Sequence, residues 1–277
     1  MPEIYGSDAY SPREVARKVE NIGVAKATAP FIESLMLGIL AGGLVGLGGL
    51  YSTLVLADTE MSLAAVRILA GMVFAIGYVV AILSGTEVFT SNNLLAMTWA
   101  ARKISTLQLL RHWGLVLVAN GIGALGLVLL FIFSGLPTQN DQLMGRQALE
   151  IAVNKISLPL TQVFFLAVLG NLFVCVSAWV AMAGRSVADK VISMILPLSA
   201  LGALQLEHVL ATLYFLPRAM LMSLAHPEIS IPGMEALTFG AFLANLAVVT
   251  LGNIVGGTFM VALVYHIVYR HNPRQQD

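Results

Sequence analysis

Charge is scarce in this chain: 11% of its 277 residues are Asp, Glu, Lys or Arg, against 58% hydrophobic, and the mean hydropathy is +0.84. Soluble domains carry about a quarter charged residues, and a monomer of this length leaves roughly a quarter of its unfolded surface exposed. The charges present are too few to coat a water-soluble fold. Cysteine is nearly absent. Cys175 stands alone inside LAVLGNLFVCVSAWVAMAG, which excludes an intrachain disulfide and leaves a small buried hydrophobe. HExxH, paired cysteines, a nucleophile arrangement and a dinucleotide loop are all missing, so no metal or cofactor is expected. The basic residues are scattered through loops, which gives nucleic-acid binding no support.

What the chain does have is apolar length. Runs extend over Phe31–Ala57, Ala64–Leu83, Leu107–Phe133, Leu158–Ala183, Val191–Ala225 with an interruption, and Ala236–Tyr269. A bilayer-spanning helix needs about 20 apolar residues, so six crossings are expected. The first run starts too far from the N-terminus to be a cleaved signal. The chain divides into an amphiphilic segment (1–30), a three-span half (31–133), a connection (134–156), a second three-span half (157–270) and a tail (271–277).

Lysine and arginine near membrane ends favour the cytoplasmic side. One side of the six-span arrangement collects Arg13, Arg17, Lys18, Lys26, Arg102, Lys103, Arg111, Arg185, Lys190, Arg270 and Arg274; the other has only Arg67, Arg146, Lys155 and Arg218. Both termini are therefore expected in the cytoplasm, and the connection outside it. Because three is odd, two like-folded halves in series cross in opposite senses. Gly38, Gly42 and Gly46 share one helix face in the first span, as do Gly252 and Gly256 in the last, and small residues at this spacing let helices approach closely in lipid.

The second and fifth spans carry the irregularities. After Leu83 the chain reads SGTEVFTSNN, and the fifth span holds Gln205, Glu207 and His208 between two short apolar stretches. Non-helical backbone at membrane depth has to line a cavity or be buried in protein, and breaks at matching places in two halves point to a transport site. His208 changes charge near neutral pH, and an ionisable residue inside a membrane is a functional candidate; a fixed interhelical hydrogen bond is the structural alternative. Glu87 and Glu207 are read chiefly as supports of the breaks, with Glu207 able to accept N–H groups at the start of the following half-helix. Thr90 and Ser91 can donate to a small anion or satisfy loop carbonyls. Asn120, Asn171 and Asn253 are amides within apolar spans, where an unpaired polar group is costly, so tying backbone together is their expected role. Lys155 can attract anions to an entrance or extend its charge to the interface.

Five segments carry a family resemblance: GVAKAT (Gly23–Thr28), SGTEVFTSN around the first break, NLFVCVSAWVAMAGRSVADK from Asn171, LEHVLATLYFLP around His208, and LGNIVGG (Leu251–Gly257). In these the chain resembles the formate–nitrite transporter family, most closely its formate channel branch. The resemblance implies an all-α membrane protein of aquaporin-like outline, with six spans, inverted halves, and second and fifth helices broken near the membrane centre. It also implies a homopentamer in the bacterial inner membrane with one pore per subunit.

Carried over by motif, Thr90 and His208 would face each other at the pore centre. Phe74 and Leu201 would form an apolar constriction on the periplasmic side, and Val88 and Phe89 one on the cytoplasmic side. Lys155 would draw anions in, Asn171 and Asn253 would supply polar lining, and the N-terminal segment with Lys26 would gate the cytoplasmic mouth. Glu87 stands where formate channels have aspartate, and Leu201 where they have an aromatic residue. Arg218, read as lying just beyond the fifth span, adds charge at a usually apolar position. The implied function is passive or proton-linked transport of formate, with nitrite or hydrosulfide as the alternative anions. A membrane enzyme using His208 and Glu207, and a purely structural membrane protein, are the readings from other classes.

Overall fold

The computed structural model describes residues 9–57 and 60–270; the tail with Arg274, and the first eight residues of the N-terminal segment, lie outside them. The described chain is all-helical. Helix α1 (Pro12–Thr28) opens with a capping box, in which Ser11 and Glu14 each accept the other's backbone N–H. Among the described residues five helices are long and apolar enough to cross a membrane: α2 (Phe31–Leu56), α3 (Leu63–Leu83), α5 (Thr106–Phe133), α7 (Leu160–Ala183) and α10 (Phe239–Tyr269). Many of their outward positions are apolar, as at Leu130, Phe133 and Phe165, which suits contact with lipid.

The run 191–225 is not one helix. It divides into α8 (Val187–Ala203) and α9 (Val209–Ala225), each shorter than the about 20 residues a crossing needs. The end of α3 is likewise followed by extended chain, a 3-10 turn (Ser91–Leu94) and a short α4 (Leu95–Ala100). The connection 134–156 holds a helix of its own, α6 (Gln139–Ile156), entered through left-handed backbone at Asn140, Asp141 and Gln142.

Both interruptions begin with the same device. At the end of α3, Thr86 N–H donates to Ala81 O (3.2 Å) and Gly85 N–H to Ile82 O (3.1 Å); at the end of α8, Leu206 N–H donates to Leu201 O (2.9 Å) and Gln205 N–H to Gly202 O (3.1 Å). These are the paired bonds of a Schellman terminus, which needs a left-handed residue to turn the chain away. Gly85 supplies it at φ 72° without steric penalty. Gln205 supplies it at φ 52°, its side chain held by Arg67 Nη2 at 3.0 Å.

The glycine faces work within the subunit. Gly42 lies against the backbone of Asn120 and Ala124, Gly38 against Ala119, and Gly46 against Leu127 and Tyr214, so α2 seats directly on α5. Gly252 and Gly256 lie against α7 at Ala167 and Val168, and Gly71 of α3 meets Gly202 of α8 backbone to backbone. Within α10, residues Val255–Ala262 widen to a π-helix. This widened turn brings Gly257 against Asn171 and Asn93, and Thr258 to 3.5 Å from Asn93 Oδ1.

Candidate functional site

The extended segments after α3 and α8 are buried together: Val88, Thr90 and His208 are fully inaccessible, and Phe89, Glu87 and Glu207 nearly so. Backbone in such a place needs partners, and two asparagines provide them. Asn120 Oδ1 accepts Phe89 N–H (3.0 Å), while its Nδ2 donates to Gly38 O and Glu87 O (both 2.8 Å). Asn253 Oδ1 accepts Val209 N–H (2.9 Å), while its Nδ2 donates to Ala167 O (2.8 Å) and Glu207 O (3.2 Å). Asn171 Nδ2 then donates to Asn253 O at 2.7 Å. Asn120 and Asn253 are wholly engaged by backbone and Asn171 by one backbone carbonyl and the Cys175 thiol, which is the tying role expected of these amides; none of the three is among the residues lining the two cavities described below. Asn253 accepts the Val209 N–H at the start of α9, a region whose N–H groups Glu207 was also able to accept on the sequence reading.

The two glutamates have their own matched partners. Lys26 of α1 reaches Glu87 Oε2 at 2.9 Å, and Lys155 of α6 reaches Glu207 Oε2 at 2.6 Å. Lys26 also donates to Asn92 Oδ1 (2.9 Å), Asn92 Nδ2 donates to Glu87 (2.7 Å), and His112 Nε2 lies 3.4 Å from the same carboxylate. His112 is a member that the sequence reading missed. Its place about two turns before Asn120 on α5 was the available signal.

Two cavities approach this centre from opposite ends. One, of about 630 Å³, lies on the α1 side and is lined by Lys18, Lys26, Thr86, Ser91 and Asn92 among others. The other, of about 520 Å³, lies on the α6 side and includes Phe74, Leu201, Lys155, Glu207 and His208. Between Ser91 on one cavity and His208 on the other stands Thr90, whose Oγ1 is hydrogen-bonded to His208 Nε2 at 2.9 Å. Ser91 Oγ donates to Val88 O at 3.0 Å, satisfying a loop carbonyl. Tyr78 completes the partition, with its OH 3.5 Å from Thr90 Oγ1 and its ring edge-on to His208 at 6.0 Å. Tyr78 was also missed, although it follows Phe74 by one turn of α3. Val88 and Phe89 line neither cavity; Phe89 packs edge-on to Trp113 at 6.3 Å.

His208 Nδ1 is buried without a hydrogen-bond partner. When Thr90 donates to Nε2, the neutral ring carries its proton on Nδ1 and offers one unsatisfied donor; a doubly protonated ring offers the same donor with a charge. The site can therefore hold an anion by hydrogen bonding and exchange a proton with it. Arg218 is not beyond the helix, as the sequence suggested, but inside α9 and fully buried.

A model of the formate/nitrite transporter family matches residues 13–267. The chain is 32% identical over 272 residues to the formate channel FocA of Escherichia coli (strain K12), covering 95% of each. It is 31% identical to the formate channel FocA of Haemophilus influenzae, covering 93% of this chain and 94% of that one. Among solved structures, a pentameric formate channel with formate bound superposes with a TM-score of 0.75 at 26% identity, over 86% of this chain and 97% of that chain. With a family match over nearly the whole chain and relatives above 30% identity end to end, the chain belongs to the formate/nitrite transporter family and is a multi-pass membrane protein of all-α fold.

Proposed function

We propose that this protein conducts formate across a bacterial inner membrane through a pore inside each subunit of a homopentamer. The observation that carries the reading is the single partition of Thr90 and His208 between two cavities that open toward opposite ends of the bundle. The formate channels to which the chain is similar, one of them pentameric with formate bound, supply the substrate and the assembly. Six crossings follow when α8 with α9 counts as one passage, the halves then being inverted and both termini cytoplasmic. On that assignment the α1-side cavity is cytoplasmic and the α6-side cavity periplasmic.

Formate entering the periplasmic cavity passes the apolar neck of Phe74 and Leu201, which penalises a hydrated charge. At the centre it accepts hydrogen bonds from His208 and Thr90. Transfer of a proton from imidazolium to carboxylate leaves neutral imidazole and formic acid, which crosses the partition to the α1-side cavity without a charge. Return of the proton to His208 gives net anion flux, and its release with the acid gives symport. The paired Lys26 and Lys155 shape the two mouths, with α1 carrying Lys26 as a gate.

The test is uptake by proteoliposomes against an imposed formate gradient at several pH values, with nitrite and hydrosulfide as competitors. Wild-type protein is expected to exceed empty vesicles, and His208→Phe to lose the pH dependence. Unchanged flux and unchanged pH profile in His208→Phe would overturn the assigned role.

A further inference from the structure

Arg218 is a fully buried guanidinium that no carboxylate meets among the described residues. Its Nη1 donates to Thr53 Oγ1 at 2.8 Å and to Tyr214 OH at 3.4 Å. The aromatic rings of Phe131, Tyr214 and Phe215 lie 5.4, 4.9 and 5.1 Å from its central carbon. Nε and Nη2 are buried and have no hydrogen-bond partner among the described residues.

These two nitrogens form one edge of the guanidinium, the pair of parallel N–H groups that grips a planar oxyanion bidentately. A lysine in this place could shed its proton, but arginine cannot, so the charge persists and its free edge remains a demand for an anion. Rings around the group partly compensate the charge and leave the edge unused. The cavity on the α6 side comes within one side-chain layer: Phe215, in contact with Arg218, and Ser52, next to Thr53, both line it. Lys155, the cation that does line this cavity, already has Glu207 at 2.6 Å.

The geometry points to a second anion site in this protein, separate from the Thr90–His208 partition, in which the Nε/Nη2 edge of Arg218 holds a small planar monocarboxylate drawn from the α6-side cavity. The site rests on the proposed function for the identity of the ligand, formate. It lies behind the cavity lining at Ser52 and Phe215, one side-chain layer from the cavity that holds Phe74 and Leu201.

The probe is [13C]formate, titrated by NMR line broadening into purified wild-type, His208→Phe, Arg218→Met and Arg218→Lys proteins, with chloride as competitor. Met removes a buried charge in favour of an apolar side chain of similar length, a change that buried sites tolerate, and intact folding is checked by the thermal midpoint. Formate is expected to bind His208→Phe through Arg218, with about tenfold or greater weakening when Arg218→Met or Arg218→Lys is added, since charge-assisted hydrogen bonds carry that much discrimination. Chloride should compete poorly, because it cannot use both N–H groups in the plane as a carboxylate does. Equal binding in the His208→Phe background with and without Arg218→Met would overturn the site. Retention of binding in Arg218→Lys would overturn the bidentate edge. Proteoliposome flux of the wild type reports on the transport reading separately, so either idea can fail alone.

Discussion

Asn120 and Asn253 make the same three hydrogen bonds in the two halves of the chain: each accepts the N–H two residues beyond a loop glutamate and donates to that glutamate's carbonyl and to a carbonyl of the half's first long helix. Each is a clamp on a segment that has left helical geometry inside the bundle. By this correspondence Val88 occupies in the first half the place His208 occupies in the second, so the titratable group is present on one side of the partition only.

Asn253→Ala strands Val209 N–H and Glu207 O in a dry interior, and each unsatisfied group costs about 1–3 kcal/mol. A loss of at least about 2 kcal/mol is expected in detergent unfolding, with Asn120→Ala similar. A drop confined to flux, with stability untouched, would show that the amide serves the pore rather than the loop.

Lys155→Met leaves Glu207, almost wholly buried, without its cation. Breaking a buried pair from one side costs about 3–5 kcal/mol, whereas replacing both partners by apolar groups is often neutral. Lys155→Met/Glu207→Leu is therefore expected to unfold later than Lys155→Met, and the reverse order in the thermal midpoints would contradict the pairing.

Gly42→Ala puts a methyl 2.8 Å from the carbonyl carbon of Asn120 and 2.9 Å from Ala124 N, both backbone atoms that yield only if α2 leaves α5. About 1–3 kcal/mol of destabilisation is expected. At the adjacent Gly43, where the nearest atom is Gly123 O at 3.8 Å, the same change should be tolerated. Equal midpoints for the two variants would show that the close approach is not needed.

Glu20 of α1 is buried between Arg270, bidentate at 2.8 and 3.2 Å, and Lys103 at 2.6 Å. Burial by itself raises the carboxyl's pKa, but hydrogen bonds and charge from Arg270 and Lys103 outweigh it and hold the group below the ordinary carboxylate value. The attachment of α1 is thus fully stabilised above the ordinary value and is lost as pH falls through the lowered one. Hydrogen exchange in α1 should rise at acid pH, and Glu20→Gln should exchange fast at neutral pH. Exchange in α1 that ignores both changes would mean that other contacts hold it.

Composition and run length were enough to read a membrane bundle, because lipid leaves only helices and closed barrels able to satisfy a crossing backbone. The breaks were legible as polar interruptions, and the buried asparagines as ties. Less legible were partners that lie far off along the chain. His112, Tyr78 and the clasp at Glu20 join residues brought together by packing; helix spacing from Asn120 and Phe74 hints at the first two, but it does not name their partners, and nothing local announces the clasp. Arg218 was misread for the same reason: FLPRAM looks like a helix end, yet Pro217 sits inside α9 and the guanidinium turns inward to Thr53.

By itself the sequence determined that this is a multi-helix membrane protein and marked the polar interruptions that hold Thr90 and His208, since hydropathy and the cost of buried polar groups act locally. Tertiary structure alone decided which donor meets which acceptor: Asn253 at the start of α9, Lys155 paired with Glu207, and one edge of Arg218 buried without a hydrogen-bond partner among the described residues. Those outcomes depend on distances between helices, which are set by glycine contacts across the bundle and are written in no single segment.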